Sequence, residues 1–262
     1  SLAYTVATAR DAGYTVLTPP QHWLSGRSFQ GHPDEIWTWV EQNVSKADVM
    51  VLSTDTLVYG GLVDSRKHET DLSVLQRRVQ RIQDLKRFHP KVPLYAFGTV
   101  MRSPRASGGG VEPPYYSNFG PTIFQIAALQ DKLDLQGLTN AEQAQLFSLT
   151  ASVPIEYMQD WFNRRQKNMA INYALIDSAR NHTFTYFALG HDDTSQLSQS
   201  AMEGRYLNAY SKGISATEYG SFPGADQLGL LLIARAHVDL HNLKPTFQTI
   251  YPLGGAEHTM PH

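Results

Sequence analysis

The residues best suited to chemistry in this chain are acids and arginines gathered in short polar runs. Thr54-Asp55-Thr56 is followed by Tyr59-Gly60-Gly61 and then by Ser65-Arg66. Further on come Met101-Arg102-Ser103-Pro104 and Gly190-His191-Asp192-Asp193-Thr194-Ser195. Pro223-Gly224-Ala225-Asp226 and Gly254-Gly255-Ala256-Glu257-His258 complete the set. Two carboxylates can divide acid–base work, one protonated as the acid and the other serving as base or nucleophile. On this reading Asp192, Asp193, Asp55 and Asp226 are the catalytic candidates. Arg66, Arg102, Tyr59, Tyr115 and Glu257 are the candidates for substrate contact. The arginines would orient hydroxyls or a carboxylate and keep a neighbouring aspartate ionised.

Each group also has a plainer use. Asp226 precedes a helix and suits an N-cap, and Asp192 or Asp193 suits a cap or a turn. If the chain stays extended there, only one of the two neighbours faces a cleft. Asp55 ends an apolar run, where an unpaired carboxylate is costly, so an ion pair with Arg66 or Arg102 competes with catalysis. His191 beside two aspartates suggests a divalent metal held by His191 and Asp192, or a proton relay; otherwise no cofactor is called for. Tyr115, Tyr116 and Phe119 either stack on a sugar ring or anchor their loop. Gly60-Gly61 fits a tight turn and belongs to no phosphate-loop pattern. No G-x-S-x-G elbow occurs, which removes the commonest serine hydrolase.

Short apolar runs alternating with helical periodicity must position these groups. Tyr14–Thr18, Val49–Ser53, Pro93–Thr99, Phe184–Leu189, Ile214–Tyr219 and Thr246–Tyr251 read as strands. Helices are expected at Leu2–Asp11 and Pro33–Gln42, and from an Asp71 cap onward with Leu72, Leu75, Val79, Ile82 and Leu85 on one stripe. Arg77, Arg78, Arg81 and Lys86 read as that helix's solvated face. Further helices are expected at Thr122–Leu133 and Asn140–Leu149, then from Pro154 to about Ala179 behind a Ser152 cap, and at Leu197–Tyr210 and Ala225–His241. The alternation implies an α/β fold with a mostly parallel sheet and flanking helices. An open, doubly wound, Rossmann-like sheet is favoured over a (β/α) barrel, because the spacing is uneven and a long helical insertion follows the third strand. Strand ends in such a fold lie on one side, where ligands bind. Residues 1–262 read as a single domain, with a lid-like loop at 102–121 and a helical insertion at 122–180.

Composition narrows the partners. A formal charge of −2 argues against nucleic acid, which needs a basic field. No apolar run approaches the roughly 18 residues of a membrane span. With no cysteine there is no disulfide, thiolate metal site or cysteine nucleophile. That leaves the compartment open between cytoplasm and export, and the 18% of charged residues leans toward export. Starting at Ser1 on a helix, the chain reads as trimmed.

At these motifs the sequence resembles the bacterial family named domain of unknown function 4127. The matching stretches are VLTPP at 16–20, LSTDTLVYGGLVDSR at 52–66, YAFGTVMRSP at 95–104, HDDTS at 191–195, PGADQLGLLLIARA at 223–236 and GGAEHTMPH at 254–262. The resemblance implies an additional first strand ahead of this chain's start and a continuation past the acidic GGAE segment, hence truncation at both ends. It also implies an acidic residue where Gln227 stands. It carries no known activity, and the company such genes keep points loosely toward sugar use.

Three functions fit. The first is a hydrolase acting on carbohydrate, glycosidase-like, with Asp192 or Asp193 set against Asp55, Asp226 or Glu257. The second is a metal-dependent hydrolase or lyase using His191, Asp192 or Asp193, and Asp55. The third is a non-catalytic sugar-binding module.

Overall fold

The computed structural model describes residues 2–106, 110–193 and 195–246. Its centre is an open parallel sheet of β1 (Met50–Ser53), β2 (Leu94–Val100), β3 (Tyr186–His191) and β4 (Tyr219–Pro223), adjacent in chain order. It is not a closed barrel. The register pairs Ser53 with Phe97, Thr99 with Gly190 and Gly190 with Phe222. All C-terminal ends therefore share one edge.

Side-chain alternation along the strands divides the core into two layers. Leu52, Leu94, Ala96, Phe187, Leu189 and Tyr219 face one side. There they meet α2 (Pro33–Asn43), α3 (Thr54–Tyr59), α5 (Leu72–Phe88) and α8 (Ile155–Arg180). The intervening residues Tyr95, Ala188 and Phe222 face the other side, against Leu228, Leu232 and Ala236 of α10 (Leu228–Leu240). Outside α10 lies α1 (Leu2–Asp11). Helices thus cover both faces, which is why the strands are apolar on both. Between β2 and β3 run α6 (Tyr116–Gln136), α7 (Asn140–Ser152) and α8, which share a separate core of Tyr116, Ile123, Ile126, Met158 and Trp161. No helix among the described residues is long and apolar enough to cross a membrane.

Several elements depart from expectation for identifiable reasons. Tyr14–Thr18 forms no strand and pairs with no strand among the described residues. Tyr14 instead packs on α10, its hydroxyl 2.7 Å from His237 Nδ1 and 3.0 Å from His241 Nε2. β4 starts only at Tyr219, because Ser211–Glu218 turn on themselves through bonds such as Ile214 N–H to Ser211 O. The lid expected at 102–121 is shorter. Its last third is the start of α6, where the Tyr116 ring packs on Trp161 and overrides the helix-breaking bias of Gly120 and Pro121. Ser152 ends α7 instead of capping α8, whose N-cap is Pro154. Asp71 holds the N-cap position of α5 without a side-chain bond. The arginines on that helix are not simply solvated. Arg78 donates to Val58 O at 2.7 Å, and Arg81 pairs with Glu41 while lying over Trp37. The strand expected from Thr246 to Tyr251 lies, but for Thr246, outside the described residues, as does Glu257.

Candidate active site

At the shared edge of the sheet the chain brings Asp55, Arg66, Arg102, Asp192 and Asp193 together. Asp55 sits in the first turn of α3, directly behind β1. Ser53 caps this turn by accepting from Thr56 N–H, and the Thr54 hydroxyl donates to Phe97 O of β2 at 3.0 Å. Asp55 is thereby aimed at the end of β2, where its Oδ2 accepts from the Thr99 hydroxyl at 2.8 Å. It is only 4% exposed. Burial raises its pKa to about 6, against the opposing pull of the Thr99 bonds and of Arg66. Asp192 adds to the rise.

Arg66 follows the short helix α4 (Leu62–Ser65). Asp64 fixes that helix by accepting from Gly31 N–H at 2.9 Å. Asn168 of α8 secures the other end, donating to Ser65 O while its Oδ1 accepts from His68 Nε2, both at 2.8 Å. So held, the Arg66 guanidinium reaches Asp192 Oδ2 at 2.5 Å and stands 3.8 Å from Glu112 Oε1. Burial lowers the pKa of Arg66 and raises that of Asp192, despite their contact. A guanidinium stays protonated inside proteins, so Asp192 is its ionised counter-ion.

Arg102 leaves β2 in a backbone held from behind. Arg165 of α8 donates to Met101 O at 2.6 Å and to Arg102 O at 2.9 Å. It is anchored by two 2.7 Å bonds to Glu203 of α9 (Gln199–Tyr210). The Arg102 side chain turns to Glu112, giving it both Nε, at 2.7 Å, and a terminal nitrogen.

The two neighbouring aspartates divide their work. Asp192 faces the arginines. Asp193 makes a local turn, accepting from Ser195 N–H at 2.9 Å and tying the loop to Ser103 N–H at 3.2 Å. Asp226 is exposed in the turn before α10, caps nothing by its side chain there, and raises the pKa of Asp192 through its charge. Tyr59 is buried against His68 and close enough to Asp55 to feel its charge. Tyr115 is an anchor. Its hydroxyl donates to Asp160 at 2.5 Å and its ring stacks on Tyr157. Tyr116 and Phe119 likewise pack on Trp161 and Tyr157.

His191 does not turn toward Asp192. Its Nε2 lies 2.6 Å from the Ser221 hydroxyl, and burial lowers its pKa. Among the described residues no three acidic or histidine side chains gather as metal ligands would. A groove of about 460 Å³ between α8 and α9 is lined by Phe162, Met169, Tyr173, Met202 and Tyr206. Arg165 and Glu203 also line it.

Sequence reading missed Glu112 and the polar stripe of α8. Glu112 is the sole acid between Asp84 and Asp131, set in a Gly- and Pro-rich run just after Arg102 and Arg105, which was a usable signal. Arg164, Arg165, Asn168 and Asn172 recur at helical spacing and are all buried.

The family model described as "Protein of unknown function (DUF4127)" matches residues 1–262. The chain belongs to this family. No curated protein and no solved structure matches it significantly. Membership attaches no reaction to the chain, so function has to be read from the cluster itself.

Proposed function

We propose that this member of the family is a hydrolase acting on glycosidic bonds, with Asp55 as the proton donor and Asp192 as the ionised carboxylate. The observation that carries this reading is the contrast between the two aspartates. One is 4% exposed, hydrogen-bonded to Thr99, and has its pKa raised to about 6; the other, though burial raises its pKa too, is 21% exposed and ion-paired with Arg66. Environments that separate two carboxyl groups in this way are how acid and base roles are assigned.

Spacing supports the pairing. Asp55 follows β1 and Asp192 follows β3, with β2 between them, so their backbones stand roughly 9–10 Å apart at ordinary strand spacing. Side chains leaning inward over the end of β2 come within the range that flanks one glycosidic bond. Arg66 and Arg102 would orient the sugar, and the exposed side of Asp192 is the way in. Metal-dependent chemistry through His191 is less well supported, because that ring is committed to Ser221.

The test is turnover of a panel of aryl glycosides and natural oligosaccharides. Asp55→Asn and Asp192→Asn are each expected to lower kcat by about 10²–10⁴-fold, with the fold intact by circular dichroism. Saturable sugar binding without turnover, unchanged in both variants, would replace the enzyme with a binding module.

A further inference from the structure

We propose that Arg66 and Arg102 form a fork for a substrate carboxylate, that Glu112 occupies it in the free protein, and that the substrate is therefore a uronic-acid-bearing sugar. This rests on the carbohydrate reading above and names the kind of sugar.

The geometry around Glu112 is that of an imperfect occupant. Three arginine nitrogens, two from Arg102 and one from Arg66, converge on its Oε1. Its Oε2 is buried and, among the described residues, has no partner. Arg66 Nε, on the guanidinium that faces this carboxylate, is also buried and without a partner among the described residues. Glu112 is 4% exposed and Arg66 5%, so the pair lies in the interior. An ion pair kept for stability normally uses both carboxylate oxygens against the parallel donors of a guanidinium. Here one oxygen is crowded and the other idle, while Arg66 Nε goes unused. A free carboxylate, not tethered to the main chain as Glu112 is, could turn to engage Arg66 Nε and Arg102 together. The arrangement is also poised to open. Arg102 keeps 26% of its side chain exposed, and the segment before Glu112 is held at Gly110 O by an exposed Lys67 ammonium at 3.1 Å.

Position adds to the case. The fork adjoins Asp192, which shares Arg66 with Glu112. A sugar carboxylate seated there would bring its ring against Asp192 and Asp55. A carboxylate already fills the fork, and a planar acid suits two guanidinium groups better than a tetrahedral phosphate does. The expected ligand is therefore a uronate and not a sugar phosphate.

Calorimetry on the full chain tests this with glucuronate and galacturonate as probes, against glucose and glucose 6-phosphate. Removing the internal competitor in Glu112→Gln, which preserves shape, is expected to tighten uronate binding by at least about tenfold, because the free fork becomes the populated state. Glucose should gain nothing, and Arg102→Met should abolish uronate binding in either background. No gain in a folded Glu112→Gln, or a gain for glucose 6-phosphate alone, would overturn the proposal. Hydrogen exchange on the unaltered protein gives an independent reading should the variant fail to fold. Saturating uronate should speed exchange at residues 110–116 and glucose should not, and equal exchange under both would overturn the proposal. Uronate binding without cleavage of any glycoside would remove the hydrolase and leave the fork. Cleavage of neutral glycosides with no uronate preference would do the reverse.

Discussion

Arg66 and Asp192, 126 positions apart in sequence, meet at 2.5 Å across the C-terminal edge of the sheet. Arg66 follows α4, the second helix after β1, and Asp192 follows β3, so their contact spans the end of β2. Thr99 and Arg102 lie at that end, and everything proposed for the site follows from this bridge. It leaves Asp192 ion-paired and partly exposed, and Asp55 buried with its pKa raised to about 6.

Asp55 and His68 should give the fold two opposed pH dependences. Asp55 binds its proton more tightly when folded. Its contribution is fully present below about 3.8 and lost as pH rises through about 6. His68 is held neutral, chiefly by burial. Its contribution is present above about 6.5 and lost as pH falls through about 4. Each amounts to about 3 kcal/mol, so they nearly cancel between pH 4 and 6.5. Asp55→Asn is expected to gain up to about 3 kcal/mol at pH 7 and nothing at pH 4, as read by urea unfolding at both pH values. An equal effect at both would show that Asp55 does not titrate this way.

Activity should follow the same proton. With Asp55 as the acid, kcat/KM is expected to fall about tenfold per pH unit above pH 6. A rate profile flat from pH 5 to 8 would remove Asp55 from that role.

The Arg165–Glu203 pair is expected to matter to stability as much as to the site. Arg165→Met strands Glu203 in the interior and should cost about 3–5 kcal/mol, whereas the double variant Arg165→Met with Glu203→Leu should cost less than the two single changes added. A double-mutant cycle by urea unfolding measures this, and simple additivity would mean the two side chains act independently.

Gly190 is fixed by the turn that brings Asp226 toward the cluster. A Cβ there would stand 2.5 Å from Gly224 O, a backbone atom that cannot swing away. Gly190→Ala should therefore cost about 1–3 kcal/mol and lower Tm. Gly213, also in a loop, has nothing within 4 Å of such a carbon, and its limit is the positive φ of 90° alone.

Much of this was legible because apolar runs locate strands, and strands locate their C-terminal ends. Asp55, Arg66, Arg102 and Asp192 each follow such a run, and the fold could only place them on one edge. Pattern failed where tertiary contacts decide. Tyr14–Thr18 has the alternation of a strand but no partner strand among the described residues, while Gly220 and Pro223 disguise β4, whose ladder is supplied by β3. Tyr115 reads as a platform for sugars until Asp160 and Tyr157, from a helix 40 residues on, take its hydroxyl and ring. The role of Glu112 needs the path of an irregular segment, which no periodicity encodes. The buried arginines of α8 were hidden because a helix is read for its apolar face.

Titration of the Asp55 side-chain carboxyl by carbon NMR addresses the central claim most directly. A midpoint near pH 6 is expected, moving down in Asp192→Asn as the neighbouring negative charge is removed. A midpoint near 4, indifferent to Asp192, would contradict the division of the two carboxylates into acid and base.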